Sequence, residues 1–156
     1  MFPLNFILVE RIAHKPIIRD KQGVLEHLAA LLASGSPNLT RGRVLDQLLE
    51  RERLGSTGIG KGVALPHARL AEAERPLGAF LRLANPVAFD ASDNVPVDLV
   101  FGMMVPEAAN NEHLQLLAKL ATLFDQAPFR AELRAAGNPE DILRRILDWE
   151  AVSAGA

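Results

Sequence analysis

Cysteine is absent from the 156 residues. Disulfides, thiolate nucleophiles and cysteine-based zinc sites are thereby excluded, and the composition fits a cytoplasmic protein. Tyrosine is also absent, with no consequence for function. An excess of one charge is missing too. Against 19 acidic residues stand 17 Lys and Arg, for a net charge of −2 and a pI of about 6.1. No electrostatic footprint for nucleic acid results. No apolar run approaches the roughly 18–20 residues of a membrane span, so membrane insertion is not expected. The opening MFPLNFILVERI is apolar only briefly, lacks a basic leader and reaches Glu10 too early for a signal peptide. Repeats and low-complexity tracts are missing. The chain has no G-x-S-x-G elbow, which leaves a Ser-His-Asp hydrolase unsupported. Its four histidines show neither H-x-x-x-H spacing nor a companion carboxylate cluster, so neither a metal nor a cofactor is expected.

What is present is an ordinary globular balance, 49% hydrophobic and 23% charged, in a chain long enough to bury one core. KQGVLEHLAALLAS (21–34) puts Val24, Leu25, Leu28, Leu31 and Leu32 on one helical face, closed by Gly35. A second helix starts at Thr40 as N-cap, carries Val44, Leu45, Leu48 and Leu49 as its stripe, and stops at Gly55. GVALP, LGAFLRLA and VDLVFGMMVP read as strands, the last apolar on both faces like a central strand. NEHLQLLAKLATLF reads as a largely buried helix. APFRAELRAAG has Pro128 in its first turn, and Asn138-Pro139 opens a final helix. Strands and helices are mixed along the chain, which predicts a single α/β domain with helices packed on a sheet.

The stretch GSTGIGKGVALPHARL (55–70) carries G-x-x-x-x-G-K, one residue short of a P-loop. A P-loop needs a strand before it and a helix after it, so that phosphate meets the helix N-terminus. Here a helix precedes and a strand follows, and Gly62 stands where a magnesium-binding Ser or Thr belongs. Nucleotide binding is not expected. The glycines instead permit tight turns, and successive N–H groups in such a loop can form an anion site.

His67 follows Pro66, which removes a donor and restricts the local turn. Such a histidine suits a nucleophile as well as a structural role. His113 points inward near its helix start, where the positive helix end favours a neutral ring; Asn110 or Asn111 is available as a cap. It reads either as a site residue or as a core histidine satisfied by a carbonyl. His14 and His27 read as surface residues without a role. Glu52 falls at the centre of the second helix's apolar stripe and Arg51 at its edge, at a helix end unfavourable for a carboxylate. These charges either snorkel at a rim or line a polar site beside the loop.

Three blocks, LLERERLGSTGIGKGVALPHARL, NPVAFDASDNVPVDLVFGMMVP and NNEHLQLLAKLA, resemble the IIA proteins of the bacterial phosphoenolpyruvate-dependent phosphotransferase system. The resemblance is to the nitrogen-regulatory branch, related to the fructose and mannitol IIA domains, and runs from about Leu4 to Trp149. It implies a single type-2 IIA domain over 1–156, with a mixed sheet flanked by helices on both faces. It implies that His67 is the phosphoryl acceptor, charged by a phosphohistidine on an HPr-like phosphocarrier, and that His113 and Arg51 complete the site by stabilising phosphate. It further implies regulated partners such as potassium transporters or sensor kinases. No function attaches to the N-terminal dozen residues. A sugar-specific IIA passing phosphate to a IIB domain shares the chemistry, but no permease or IIB segment lies in this chain. A binding module whose histidine is never phosphorylated is the third alternative. In the first two, donor and acceptor nitrogens must stand in line, with loop N–H groups, Arg51 and the His113 N–H facing the equatorial oxygens.

Overall fold

The computed structural model describes residues 1–155, the side chains of Asn110 and Ala154 excepted. Its centre is strand β6 (Val97–Pro106), buried along almost its whole length as its unbroken apolar run requires. Strand β5 (Leu77–Val87) pairs with it antiparallel, and β1 (Ile12–His14) pairs parallel with β5. On the other side of β6 two short strands follow one another, β3 (Val63–Ala64) and β4 (His67–Leu70), both parallel to it. Strand β2 (Gly58–Gly60) closes that edge antiparallel to β3. The result is a mixed six-stranded sheet in the order β1-β5-β6-β3-β2, with β4 also on β6.

Helices cover both faces. On one side lie α1 (Lys21–Ala33) and α2 (Arg41–Leu54), whose Val24, Leu25, Leu28, Leu32, Val44 and Leu48 meet Val100 and Met104 of β6. On the other lie α3 (Asn110–Phe124), α4 (Ala127–Ala135) and α5 (Pro139–Gly155), which bury Phe124, Phe129 and Ile146 against Leu99, Phe101 and Met103. Successive β6 side chains thus enter different cores, the period-two geometry of a strand. Gly102 is the close-approach point: a Cβ there would stand 2.8 Å from Leu28 Cδ2.

The helix starts follow their caps. Thr40 Oγ1 accepts the Arg43 N–H at 3.2 Å, Asp20 caps α1 through Gly23, and Asn138 Oδ1 accepts the Asp141 N–H at 2.7 Å. Strands β1, β2 and β4 are each too short to carry an alternating pattern, and none was anticipated. Helix α3 is not largely buried, since Leu114, Gln115 and Ala118 face solvent while Leu116, Leu120 and Leu123 face the core. Its N-cap is Ala109, without a side-chain bond, and Asn111 lies within the helix; the Asn110 side chain lies outside the described residues.

The N-terminal residues also have a structural place. Arg11 is buried, donating from Nε to Gly78 O at 2.9 Å and from Nη2 to Asn5 O and Phe6 O. His14, expected at the surface, is half-buried, with Nε2 3.0 Å from Ala136 O. No helix among the described residues is long and apolar enough to cross a membrane.

Candidate functional site

His67 is the first residue of β4, opposite Met103 in the parallel register with β6. Strand β6 ends three residues later, and the turn closed by the Ala109 N–H on Pro106 O (3.1 Å) starts α3 at the same end of the sheet. That turn delivers His113 beside His67. The ring centroids are 5.1 Å apart at an interplanar angle of 61°, edge to face. Helix α2 contributes its last turns, so that Gln47, Glu50, Arg51 and Leu54 join both histidines, Ala68, Arg69 and Glu107 around a cleft of about 510 Å³. A larger hollow around the start of α1, with Arg19, His27 and Arg41 in its lining, lies elsewhere and contains neither of the paired histidines.

His67 Nδ1 lies 2.7 Å from Leu65 O. A carbonyl only accepts, so Nδ1 carries the proton and Nε2 keeps its lone pair. Burial lowers the His67 pKa, the Leu65 carbonyl opposes that, and Arg51 and Arg69 lower it further. The ring is therefore neutral at physiological pH, the form in which a nitrogen can attack.

His113 is 6% exposed, and its pKa is lowered to about 4, first by burial and then by His67, Arg69 and Arg51. Its Nδ1 is buried with no hydrogen-bond partner among the described residues. The two histidines therefore differ in how their Nδ1 atoms are met, that of His67 by the Leu65 carbonyl and that of His113 by no partner among the described residues.

Arg51 lines the cleft with its Nη1 donating to Gly55 O at 3.0 Å, which anchors the guanidinium beside the loop. Glu52 does not snorkel. Its side chain is 6% exposed, paired with Lys21 at 2.8 Å and bonded to the Thr57 N–H.

The glycine loop behaves differently from expectation. Gly60, Lys61 and Gly62 all have left-handed φ (95°, 60° and 82°) and form the turn between β2 and β3. Three of the loop N–H groups are bonded locally: Thr57 donates to Glu52, Gly58 to Ser56 Oγ, and Lys61 to Asp93 at 2.8 Å. They do not converge on His67. Lys61 pairs with Asp125, just past the far end of α3, about 18 Å along that helix from His113 at 1.5 Å per residue. It does not belong to the rim of the cleft. Among the cleft residues missed from sequence, Ala68 lies on β4 and Glu107 just past β6, whereas Gln47, Glu50 and Leu54 stand at i, i+3 and i+7 on α2 with Arg51 at i+4. That spacing is the signal that marks them as one face. Among the described residues no three His, Asp or Glu side chains come together in a metal-binding group.

A mixed sheet covered on both faces, with two edge-on histidines and an arginine in a cleft at the end of its central strand, defines a class of α/β proteins built around a paired-histidine site. The profile described as "Phosphoenolpyruvate-dependent sugar phosphotransferase system, EIIA 2" matches residues 5–149. The chain belongs to this EIIA family, whose members transfer phosphoryl groups through histidine. A nitrogen regulatory protein of Pseudomonas aeruginosa is 44% identical over 83% of this chain and 84% of its own length. A fructose-specific EIIA component of Haloferax volcanii is 34% identical over 82% of this chain and 85% of its own. Among solved structures, the nitrogen regulatory protein IIA-Ntr of Neisseria meningitidis superposes with a TM-score of 0.85 at 38% identity, covering 90% of this chain and 95% of that one.

Proposed function

We propose that this protein is a phosphorelay component of the nitrogen-regulatory type, accepting a phosphoryl group on Nε2 of His67 from a phosphohistidine of an HPr-like carrier. The observation that carries the reading is the 2.7 Å bond between His67 Nδ1 and Leu65 O, which leaves Nε2 as the free nucleophile. In the transfer the Nε2 lone pair forms a new N–P bond as the donor N–P bond breaks. The donor imidazole departs with that electron pair, and His67 retains its Nδ1 proton against Leu65 O. The His113 N–H and the Arg51 guanidinium stabilise the equatorial oxygens.

The regulatory reading is supported by the name and 44% identity of the Pseudomonas aeruginosa relative, against 34% for the fructose-specific one. Residues 1–156 then act as one type-2 IIA unit in the cytoplasm, signalling to proteins of nitrogen or potassium metabolism through their phosphorylation state. Incubation with a phosphorylated HPr-type carrier, followed by intact-mass and peptide mass spectrometry, tests the reading. One added phosphoryl group, acid-labile and mapped to the His67 peptide, is expected. An unchanged mass supports a binding module instead.

A further inference from the structure

The acceptor ring depends on one carbonyl, and that carbonyl lies in a peptide with no N–H of its own. Leu65 O belongs to the bond with Pro66, whose nitrogen carries no hydrogen. Its direction must be held from both sides. On one side Pro66 O accepts the Met103 N–H at 2.9 Å, tying the segment to β6. On the other the Leu65 N–H donates to Thr57 O at 3.0 Å.

Thr57 is itself fixed by a buried charge. Its N–H lies 3.1 and 3.3 Å from the two Glu52 carboxylate oxygens, and its hydroxyl donates to Glu52 Oε1. The other face of the carboxylate meets Lys21 Nζ at 2.8 Å. Lys21 in turn sits over the Phe89 ring, 4.7 Å from its centroid. Thr57 is 4% exposed and the Glu52 side chain 6%. None of Lys21, Glu52 or Thr57 lines the cleft.

A carboxylate in the last turn of a helix opposes the dipole, and a buried ion pair is a poor source of net stability. Stability does not account for this arrangement. Orientation does, because the pair grips both donor groups of the one residue whose carbonyl holds Leu65. We propose that Lys21, Glu52 and Thr57 form a positioning relay for His67, running from the Lys21 ammonium through Glu52, Thr57 and Leu65 to the Nδ1–H. These are positioning residues and touch neither the phosphoryl group nor the carrier. The relay rests on the reading of His67 as acceptor, but its first consequence, a single His67 tautomer, is measurable without any phosphoryl transfer.

The test compares Thr57→Val, which deletes the hydroxyl at nearly constant volume, with Thr57→Ser, which restores it. Histidine ¹⁵N NMR of the intact protein reads the ring, and transfer from a phosphorylated HPr-type carrier reads the rate. In the unmodified protein the His67 shifts should report Nδ1–H alone. Thr57→Val should give mixed-tautomer shifts and faster Hδ1 exchange. Transfer should slow by about tenfold to a hundredfold, the range for displaced positioning groups, in the maximal rate and not in carrier affinity. Thr57→Ser should restore both. Glu52→Gln, which retains shape but not charge, carries the same test with the same expected signs should Thr57→Val not fold. A variant with wild-type ring shifts and wild-type rate, changed only in thermal stability, overturns the relay. Altered ring shifts in Thr57→Val, where the unmodified protein itself accepts no phosphoryl group from the carrier, uphold the relay and sink the acceptor reading.

Discussion

His67 and His113 meet edge to face at a centroid distance of 5.1 Å, in a cleft that none of their neighbours in sequence could have formed alone. The first comes from a strand start and the second from a helix start, far apart along the chain.

Replacing His67 by Ala removes the nucleophile while leaving both hydrophobic cores intact. The variant is expected to fold with an unchanged circular dichroism spectrum and to accept no phosphoryl group. Acid-labile phosphate appearing on it at the wild-type rate refutes the assignment.

His113→Ala should still be phosphorylated on His67, but about 10²–10³-fold more slowly, the usual effect of losing one stabilising donor. Single-turnover kinetics with phosphorylated carrier measure this. An unchanged rate accompanied by lowered thermal stability shows a core histidine and nothing more.

The lowered pKa of His113 makes stability depend on pH in a definite direction. Its folded value of about 4 lies below its ordinary 6.5, so between those values the unfolded chain binds more protons. The contribution is complete above pH 6.5 and is lost as pH falls through about 4. His67, shifted the same way by burial, adds to it. Urea midpoints should therefore fall on acidification across that window, and His113→Gln should flatten the dependence. Equal slopes for the two proteins contradict the assignment.

Gly102→Ala drives a Cβ to within 2.8 Å of the fully buried Leu28. A loss of about 1–3 kcal/mol is expected from overpacking, read by chemical denaturation. A stability equal to wild type shows that α1 shifts on the sheet without cost.

Phosphorylation adds roughly −1.5 to −2 charges at neutral pH, taking a phosphate monoester as guide. The cleft holds Arg51 and Arg69 against Glu50 and Glu107, so the modified site turns net negative. Partners covering His67 should bind the free form more tightly when their own surface is acidic, with the difference shrinking at higher salt. Titrations of protein phosphorylated by its carrier, at two ionic strengths, measure it. Equal affinities for every partner leave a carrier without a switch.

Local chemistry was legible in the sequence wherever a signal repeats or caps. The helices at 21–33 and 41–54 follow from their apolar stripes, their starts from Thr40 and Asn138, and the central strand from its unbroken apolar run. His67 was marked by Pro66 and the glycines, and by its family resemblance. Strands of two to four residues carry no period, so β1, β2 and β4 emerge only through their partners.

The sequence by itself determined the class of fold and the failure of the P-loop reading, because each rests on residue type and spacing within a few turns of chain; residue type and spacing left His113 open between site and core, and the family resemblance alone set it beside His67. Tertiary structure alone decided which charges face the histidines. Lys61 is close to His67 in sequence yet pairs with Asp125 at the far end of α3, while Glu107, just past the end of β6, and His113 of α3 reach the cleft from far along the chain. It also decided that Glu52 turns inward to Lys21 and Thr57 while Arg51, its neighbour, turns to the cleft. Adjacent helix positions point about 100° apart, and what lies in each direction is set by strand register and long-range pairing, which no local pattern encodes.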